Sequence, residues 1–565
     1  MKNSLQLALR YHQAGQLEEA QKCYEEILAE EPERADVLHL LGILHAQQGE
    51  LQTALQYLQQ SITLDPNQPT AYNNLGNVYQ KLKKWSEAQH SYEKALQLYP
   101  EYAIAHNNLG VVYQQQGDQI HAQQHYEQAL GLKDDYADAH YNLGSLLIKQ
   151  QHWQDAVPHL EKTLQLQPDH PEALGHLAQI LQQQNKVAEA IDYYQKRLKL
   201  EPHHAETHYQ LGTALFHQNC VNEAIEHWQE TLKLQPNHIE ALHNLGTAYL
   251  QLKQPNDALK YRLQLLQLQP NAENYLNVGV LFMDIDRHND AIQYFAEALR
   301  LKPHDFVTLQ NLAATHLKKG DYSQAAQYYR EALALQPDNA EILYLLAALE
   351  QQSAPKAAPT EYLQHLFDHY APHFEQHLLT HLDYRVPQLL YDAVTQETHV
   401  TQNSWIILDL GCGTGLAGDK FRPLAERLIG IDISEKMLDV AREKNLYDEL
   451  LQGNLQQLLP KFSQLDLILA ADVFTYIGDL TEIFKLSYAA LKPGGWFAFT
   501  VEKTEEYPYI LQKSARYAHS QRYIETLSQQ AGHFEIRHAS NAQLRRQKKQ
   551  PVEGYVFVLF KALNH

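Results

Sequence analysis

The feature that most constrains the fold is a pattern that recurs about every 34 residues through the first 350 residues. Prolines mark the period, with Asp134 replacing one of them and one interval shortened to 33 residues. Alanines from Ala20 to Ala325 and small residues from Ala8 to Ala313 follow the same period. Three series in phase indicate one structural unit repeated about ten times. The prolines are Pro32, Pro66, Pro100, Pro168, Pro202, Pro236, Pro270, Pro303 and Pro337.

The third copy shows the unit most clearly. It contains Tyr72-x-x-Leu75-Gly76-x-x-Tyr79, followed by Ala88, Tyr92 and Pro100. This pattern resembles the tetratricopeptide repeat (TPR), a pair of amphipathic helices. The small residues fit where the paired helices come closest, and the proline ends the second helix. Because one pair cannot bury its apolar face alone, the repeats are expected to stack. We predict an all-α TPR solenoid over residues 1–351, closed by an unpaired helix at Ala340–Gln351.

A row of asparagines lies two residues before the small position in six repeats. Each side chain offers two donors and one acceptor, enough to pair a peptide group. The row resembles the asparagine ladder of O-linked N-acetylglucosamine transferase, which implies a protein or peptide partner on the concave face. The alternative interpretation is that these are exposed consensus residues without a ligand, since Leu40, His176 and Gln210 interrupt the row. The candidates are Asn74, Asn108, Asn142, Asn244, Asn277 and Asn311.

The stretch after the repeats changes in composition. Residues 352–360 are rich in proline and alanine, which predicts a short semi-rigid linker. Helices follow from residue 361, and their aromatic side chains Tyr370 and Phe374 either contact a ligand or belong to the core.

Residues 405–418 read W-I-I-L-D-L-G-C-G-T-G-L-A-G. Four apolar residues predict a buried strand, and alternating glycines predict a sharp turn with open access to the backbone. The stretch resembles the S-adenosyl-L-methionine motif of class I methyltransferases, although it also matches a dinucleotide fingerprint. The resemblance implies that the cofactor contacts Asp409, Gly411, Gly413 and Gly415. Cys412, between two glycines, is expected to serve packing.

The downstream strands favour the methyltransferase over the dinucleotide domain. A second strand ends at Asp432, whose carboxylate can accept both ribose hydroxyls, and Ile433 follows it. By resemblance, Asn454 bonds adenine in place of the usual aspartate, and Asp472 faces the transferred methyl group. An L-K-P-G-G turn and a final strand pair complete the match. We predict a Rossmann-like α/β methyltransferase domain over residues 361–565, with a mostly parallel seven-stranded sheet.

Methyl transfer from a sulfonium needs alignment of the nucleophile more than a fixed catalytic triad. The catalytic candidates are therefore few: Tyr370, Tyr476 and His519, with Glu502 as a further substrate-handling candidate. His519 has the intrinsic pKa of a general base, but it is also placed to be a structural residue at the start of a helix.

Composition disfavours several function classes. A net charge of −21 disfavours nucleic-acid backbones and anionic membranes. The one basic run, residues 545–549, is expected to be a solvated loop. Three distant cysteines indicate a cytoplasmic protein without disulfides. No membrane span is expected. The 32 histidines lack ligand-like spacing, so we expect surface histidines and no metal.

The leading hypothesis is an S-adenosylmethionine-dependent methyltransferase whose solenoid recruits a protein substrate. The first alternative is a small-molecule methyltransferase with the solenoid as an assembly module. The second is a TPR scaffold with a degenerate methyltransferase domain, which intact Asp409 and Asp432 disfavour.

Overall fold

The computed structural model describes residues 2–351, 354–398, 403–531, 533–547 and 550–563. The chain divides into two compact units, Met1–Leu268 and Gln269–His565. The predicted boundaries at residues 351 and 361 fall inside the second unit and stay a prediction.

The first unit is built from paired helices of 12 to 14 residues. Eight pairs follow the predicted repeats, and each marker proline stands two residues beyond the second helix of a pair. The TPR fold is thus confirmed. The helices are α1 Lys2–Gln13, α2 Leu17–Glu30, α3 Ala35–Gln48, α4 Leu51–Leu64, α5 Pro69–Lys81, α6 Trp85–Leu98, α7 Ala103–Gln116, α8 Gln119–Leu132, α9 Ala137–Lys149, α10 Trp153–Leu166, α11 Pro171–Gln183, α12 Val187–Leu200, α13 Ala205–His217, α14 Val221–Leu234, α15 Ile239–Gln251 and α16 Pro255–Leu268.

Close approach within each pair explains the small residues. A Cβ atom on Gly76 would lie 2.5 Å from Cε1 of Tyr92, which is fully buried. In the next repeat, a Cβ atom on Gly110 would lie 2.7 Å from Cε1 of Tyr126. Each glycine therefore makes room for a large side chain sixteen residues later on the second helix.

Several histidines have structural roles, which corrects the prediction of surface residues. In three repeats, Nδ1 atoms of two histidines on paired helices lie 2.9–3.0 Å apart. In each pair one Nδ1 donates a proton and the other Nδ1 accepts it, so the accepting ring must be neutral there. A buried position favours this neutral form. Burial lowers the pKa of His125 to about 4. The pairs are His106–His125, His140–His159 and His208–His227.

The second unit begins in the shortened turn between Leu268 and Ala272, where the single-residue deletion falls. Two further repeats and an unpaired helix follow. The first helix of this unit has an Asn271 N-cap that accepts from Asn274 N–H. These helices are α17 Ala272–Asp284, α18 His288–Leu301, α19 Phe306–Lys319, α20 Tyr322–Leu335 and α21 Ala340–Glu350.

The rest of this unit is an α/β domain, as predicted. Its parallel strands are largely buried except for the edge strand β3, and a final antiparallel pair extends the sheet, in which β5 pairs with both β7 and β9. The order is β3-β2-β1-β4-β5-β7-β6, with β8 on β9. The strands are β1 Trp405–Leu410, β2 Ala425–Asp432, β3 Glu449–Gln452, β4 Leu465–Ala470, β5 Leu491–Lys503, β6 Tyr509–Leu511, β7 Tyr517–His519, β8 Phe534–Gln547 and β9 Gln550–Lys561.

The sheet has nine strands in the described residues rather than the predicted seven. The two additional strands are β6 and β7, which form a hairpin after β5. Three residues per strand are too few to show an alternating pattern in the sequence. The remaining helices are α22 Thr360–Tyr370, α23 Phe374–Gln376, α24 Val386–Glu397, α25 Leu416–Phe421, α26 Glu435–Glu443, α27 Leu455–Leu458, α28 Thr481–Ala490 and α29 Gln521–Gln530.

The described part of the predicted linker, residues 354–360, is bound to the α/β domain rather than acting as a spacer. Gly478 and Asp479 donate backbone N–H groups to the Lys356 carbonyl at 2.8 and 2.9 Å. Ala358 N–H donates to the Tyr476 carbonyl at 2.9 Å. Residues 352 and 353 of the predicted linker lie outside the described residues.

The last helix of the repeats also packs on the α/β domain. The Tyr344 hydroxyl on α21 donates to the Ala515 carbonyl at 2.6 Å, and both residues are buried. They share one apolar cluster with Leu511 and Tyr517 of the β6–β7 hairpin. The Tyr517 hydroxyl donates in turn to the Pro355 carbonyl at 2.6 Å. The terminal repeats and the sheet therefore form one packed body.

We predict that residues 269–565 fold alone, whereas residues 351–565 are destabilised. The shorter chain loses α21 and leaves the apolar side of the hairpin and the Ala515 carbonyl exposed. A loss of a few kcal/mol would lower the unfolding midpoint by roughly 5–10 °C. Differential scanning calorimetry of both chains checks this, and equal midpoints would contradict it.

Candidate functional site

A cavity of about 400 Å³ lies at the carboxyl ends of β1–β4. Ligands of doubly wound sheets bind at this edge, where neighbouring connections diverge. In this sheet β1 lies between β2 and β4, so the divergence falls beside β1. Six predicted cofactor residues line the cavity together: Gly411, Gly413, Asp432, Ile433, Asn454 and Asp472.

Asp432 is held from both sides of its carboxylate. Oδ2 accepts from Gly413 N–H at 2.8 Å, and Oδ1 accepts from Ser434 N–H at 2.9 Å. Burial raises its pKa to about 6. Each oxygen keeps a second lone pair, so the carboxylate can also accept bonds from a ligand.

The glycine turn leaves the cavity open beside Asp432. Gly411 and Gly413 have φ values of +63° and +53°, a region that favours glycine. A Cβ atom on Gly413 would meet only Phe374 Cε1, at 3.7 Å. The absence of side chains thus leaves room for a ligand against the backbone.

Two predicted cofactor residues, Asp409 and Gly415, lie outside the cavity lining. Asp409 is fully buried, and its Oδ2 accepts from the Tyr447 hydroxyl at 2.7 Å. Its Oδ1 has no hydrogen-bond partner among the described residues, and burial raises the pKa of Asp409 to about 7. Gly415 is the N-cap of α25 and adopts φ +89°. The two residues flank the glycine turn, Asp409 on β1 and Gly415 at the start of α25.

Asn454 lines the cavity but also caps a helix. Its Oδ1 accepts from Gln456 N–H at 2.9 Å at the start of α27. Its Nδ2 makes no hydrogen bond within the described part of the chain. The predicted acceptor oxygen is therefore shared with the backbone, and the amide nitrogen is the free group.

The helices before the sheet cover the cavity. Tyr370 and Phe374 both line it, with ring centroids 5.5 Å apart. The Ser434 hydroxyl donates to Asp368 on α22 at 2.5 Å, and Lys444 forms an ion pair with Glu375. These two links fasten the covering helices to the segment that follows Asp432. Burial raises the pKa of Tyr370 to about 12, so this phenol stays protonated at neutral pH.

Arg545 forms a buried ion-pair network beside the cavity. Its Nη1 donates to both Asp472 oxygens at 2.7 Å, and its Nη2 donates to Glu502. Its side chain is 1% exposed. The prediction of a solvated basic loop is therefore wrong for Arg545, while Lys548 and Lys549 lie outside the described residues.

Asp472 occupies an unusual backbone conformation at this point. Its φ is +62°, and its N–H donates to the Thr500 hydroxyl at 3.0 Å. Strained positions of this kind persist where surrounding contacts fix them, as the Arg545 pair does here.

The three catalytic candidates separate in the structure. Tyr370 and Tyr476 line the cavity, but His519 does not. His519 is fully buried on β7, and its Nε2 lies 3.0 Å from the Gly478 carbonyl. Burial lowers its pKa to about 4. A histidine so enclosed has no access to a substrate, which corrects its assignment as a base. Glu502 is likewise buried and engaged with Arg545.

The asparagine row connects neighbouring repeats. Asn108 Nδ2 donates to Asn73 and Asn77 at 3.0 and 3.1 Å. Asn142 Nδ2 donates to Asn107 at 2.9 Å, and Asn74 Nδ2 lies 2.8 Å from His39 Nε2. These partners belong to the preceding repeat, a role that the sequence did not reveal.

The other predicted ladder residues differ. In the second unit, Asn311 Nδ2 donates within its own helix to the Val307 carbonyl at 2.9 Å. Asn244 and Asn277 are half-buried. Peptide binding by the six asparagines stays a prediction.

We predict that Asp409→Asn stabilises the protein increasingly as pH rises. The pKa of Asp409 is raised on folding, so the native state binds its proton more tightly and stability falls as pH rises towards 7. An amide removes this loss. Urea unfolding at pH 5 and pH 8 measures the free energy of unfolding of the variant and of the wild type, with exposed Asp419→Asn as control. A difference between variant and wild type that is equal at both pH values would contradict the prediction.

Comparisons with known proteins agree with both parts of the fold. A family model described as a methyltransferase domain matches residues 408–499. Tetratricopeptide-repeat models match residues 4–34, 271–338 and 311–369. The C-terminal domain of cilia and flagella-associated protein 70 matches residues 33–237, and its middle TPR-like domain matches residues 176–302.

Among the described residues, no helix is long and apolar enough to cross a bilayer.

Curated relatives match part of this chain over part of their own length. Human methyltransferase-like protein 27 is 40% identical over 87 residues, which cover 15% of this chain and 35% of that protein. Malonyl-[acyl-carrier protein] O-methyltransferase of Yersinia pestis is 29% identical over 96 residues, covering 17% and 36%. The chain thus spans about a third of each relative. YrrB, a solved TPR protein with an unusual peptide-binding site, is 25% identical with a TM-score of 0.31, covering 33% of this chain and 96% of that one.

Proposed function

We propose that this chain, which joins tetratricopeptide repeats to a methyltransferase domain, transfers a methyl group from S-adenosyl-L-methionine to an acceptor in the cavity. We further propose that the repeats recruit a protein substrate or partner. The cofactor assignment rests on one observation: Gly413, Asp432 and Asn454 line the same cavity.

The residues present fit this cofactor. Asp432 offers two carboxylate oxygens at the end of β2, suited to two hydroxyl groups of a ribose. Asn454, two residues beyond β3, keeps a free amide nitrogen and a second lone pair on Oδ1 for a ligand, and Gly413 leaves open space beside Phe374. When bound, the cofactor supplies an electrophilic methyl carbon on a sulfonium.

The chain's own contribution is orientation and exclusion of water. Phe374 lies beside Gly413 and Tyr370 lines the same cavity, and the Asp368 and Glu375 links hold their helices in place. A site closed in this way keeps two reactants aligned, which is the main requirement of a direct displacement.

We predict that Asp432→Asn weakens S-adenosylmethionine binding by roughly 30-fold, since hydrogen bonds to a charged group contribute about 2 kcal/mol. Titration calorimetry on the full chain measures this, and Asp419→Asn in the same domain is the control. A thermal scan checks that the variant is folded. Absence of binding by the wild type, or equal binding by the variant, would contradict the assignment.

A small-molecule acceptor is the second candidate, because the cavity is small and covered by helices. The first unit, Met1–Leu268, is a compact body that can be removed without touching the terminal repeats. A cut at residue 350 would instead damage the catalytic unit, so residue 268 is the informative place to cut.

We predict that the full chain, given methyl-labelled S-adenosylmethionine and a cell extract, labels protein, whereas residues 269–565 bind the cofactor but label none. The reason is that recruitment depends on the first unit, with Asn74, Asn108 and Asn142 as contact candidates. Acid precipitation separates labelled protein from labelled small molecules. Label confined to small molecules with both chains would favour the second candidate.

A further inference from the structure

The cavity extends beyond the proposed cofactor residues towards β4 and β7. We call this part the acceptor half, defined by Asp472, Tyr476, Arg516, Arg545 and Gln547, all of which line the cavity. The inference below concerns its charges and rests on the proposed function, because it assigns the substrate class of the same site.

The two arginines of the acceptor half differ in how they are paired. Arg545 is buried, with its donors directed to Asp472 and Glu502. Arg516 makes no side-chain hydrogen bond within the described residues, and its side chain is 25% exposed. Its Nη1 forms an ion pair with Glu502 at 3.7 Å, too long for a hydrogen bond, and Arg545 also engages this carboxylate. Arg516 therefore has free donors in the cavity.

The backbone that carries Arg516 is held firmly. The Arg516 carbonyl accepts from Gln512 N–H at 2.8 Å, and the preceding Ala515 carbonyl accepts from Tyr344 of α21. The guanidinium carbon lies 5.7 Å from the centroid of the Tyr476 ring. These bonds fix the point from which the side chain extends, and the planar fork of its guanidinium matches the two oxygens of a carboxylate.

The position in the sheet separates Arg516 from the cofactor residues. Gly411 and Gly413 follow β1, whereas Arg516 directly precedes β7. Two strands, β4 and β5, lie between β1 and β7. Neighbouring strands lie about 4.8 Å apart, so the three spacings between β1 and β7 place the amino end of β7 roughly 14 Å from the glycine turn. Arg516 thus lies in the part of the cavity away from the glycine turn.

The charge balance favours a singly charged over a doubly charged anion. Asp472 and Glu502 offset Arg545 and Arg516, and Glu502 lies near any anion bound by Arg516. A carboxylate adds one charge, whereas a phosphate dianion adds almost two and meets stronger repulsion from Glu502. We propose that Arg516 binds a carboxylate group of the methyl acceptor and so selects acidic acceptors.

The test compares hexanoate with hexanamide, two probes of one chain length that differ in charge. Saturation-transfer NMR titrations use the full chain, with and without S-adenosylhomocysteine. The variants are Arg516→Gln, Arg516→Lys and the exposed control Arg522→Gln. We expect hexanoate to bind wild type and Arg522→Gln at least about tenfold more tightly than hexanamide. Arg516→Gln should abolish this preference, and Arg516→Lys should reduce it.

Equal binding of the two probes, no hexanoate binding, or a preference kept in Arg516→Gln would overturn the proposal. So would tighter binding of inorganic phosphate than of hexanoate. Calorimetry of S-adenosylhomocysteine runs in parallel: loss of its binding in Arg516→Gln would assign the guanidinium to the cofactor instead. If wild type binds hexanoate selectively but not S-adenosylhomocysteine, the proposed function fails while the carboxylate site stands.

Discussion

The Asp432 carboxylate is the contact on which the cavity depends. It binds the backbone of the glycine turn through Gly413 and the start of α26 through Ser434. Ser434 in turn binds Asp368 of the covering helix α22. One buried carboxylate thus connects β1, β2 and the cover. Because a buried carboxylate without hydrogen bonds is costly, the same bonds that stabilise it also fix the geometry of the turn.

The terminal repeats pack on the α/β domain and belong to the same compact unit. Tyr344 of α21 holds Ala515, the residue before Arg516, and residues 354–360 hold the backbone at Tyr476. Two side chains of the acceptor half therefore depend on segments that the sequence assigns to repeats and linker. The division between the two compact units therefore falls at residue 268, within the repeat array, rather than at its end.

Local sequence patterns predicted most of the fold. The predictions that were wrong concern residues whose contacts lie far away in the sequence. The 34-residue period and the glycine motif depend on neighbouring residues, so the helices and the turn after β1 could be anticipated. Arg545 could not, because its burial depends on Asp472, 73 residues earlier in the chain. His519 has the chemistry of a base, but only the packing around β7 shows that it is enclosed. The linker is held by hydrogen bonds of its backbone, which the side-chain composition of the segment does not reveal.

The central claim is that one cofactor contacts the carboxyl ends of β1, β2 and β3 beneath the covering helices. Hydrogen–deuterium exchange of the full chain with and without S-adenosylmethionine tests this directly. The account predicts slower exchange in three short segments, residues 411–415, 432–436 and 453–456, and in the cover at residues 360–378. Unchanged exchange in these segments, or protection confined to other parts of the chain, would contradict it.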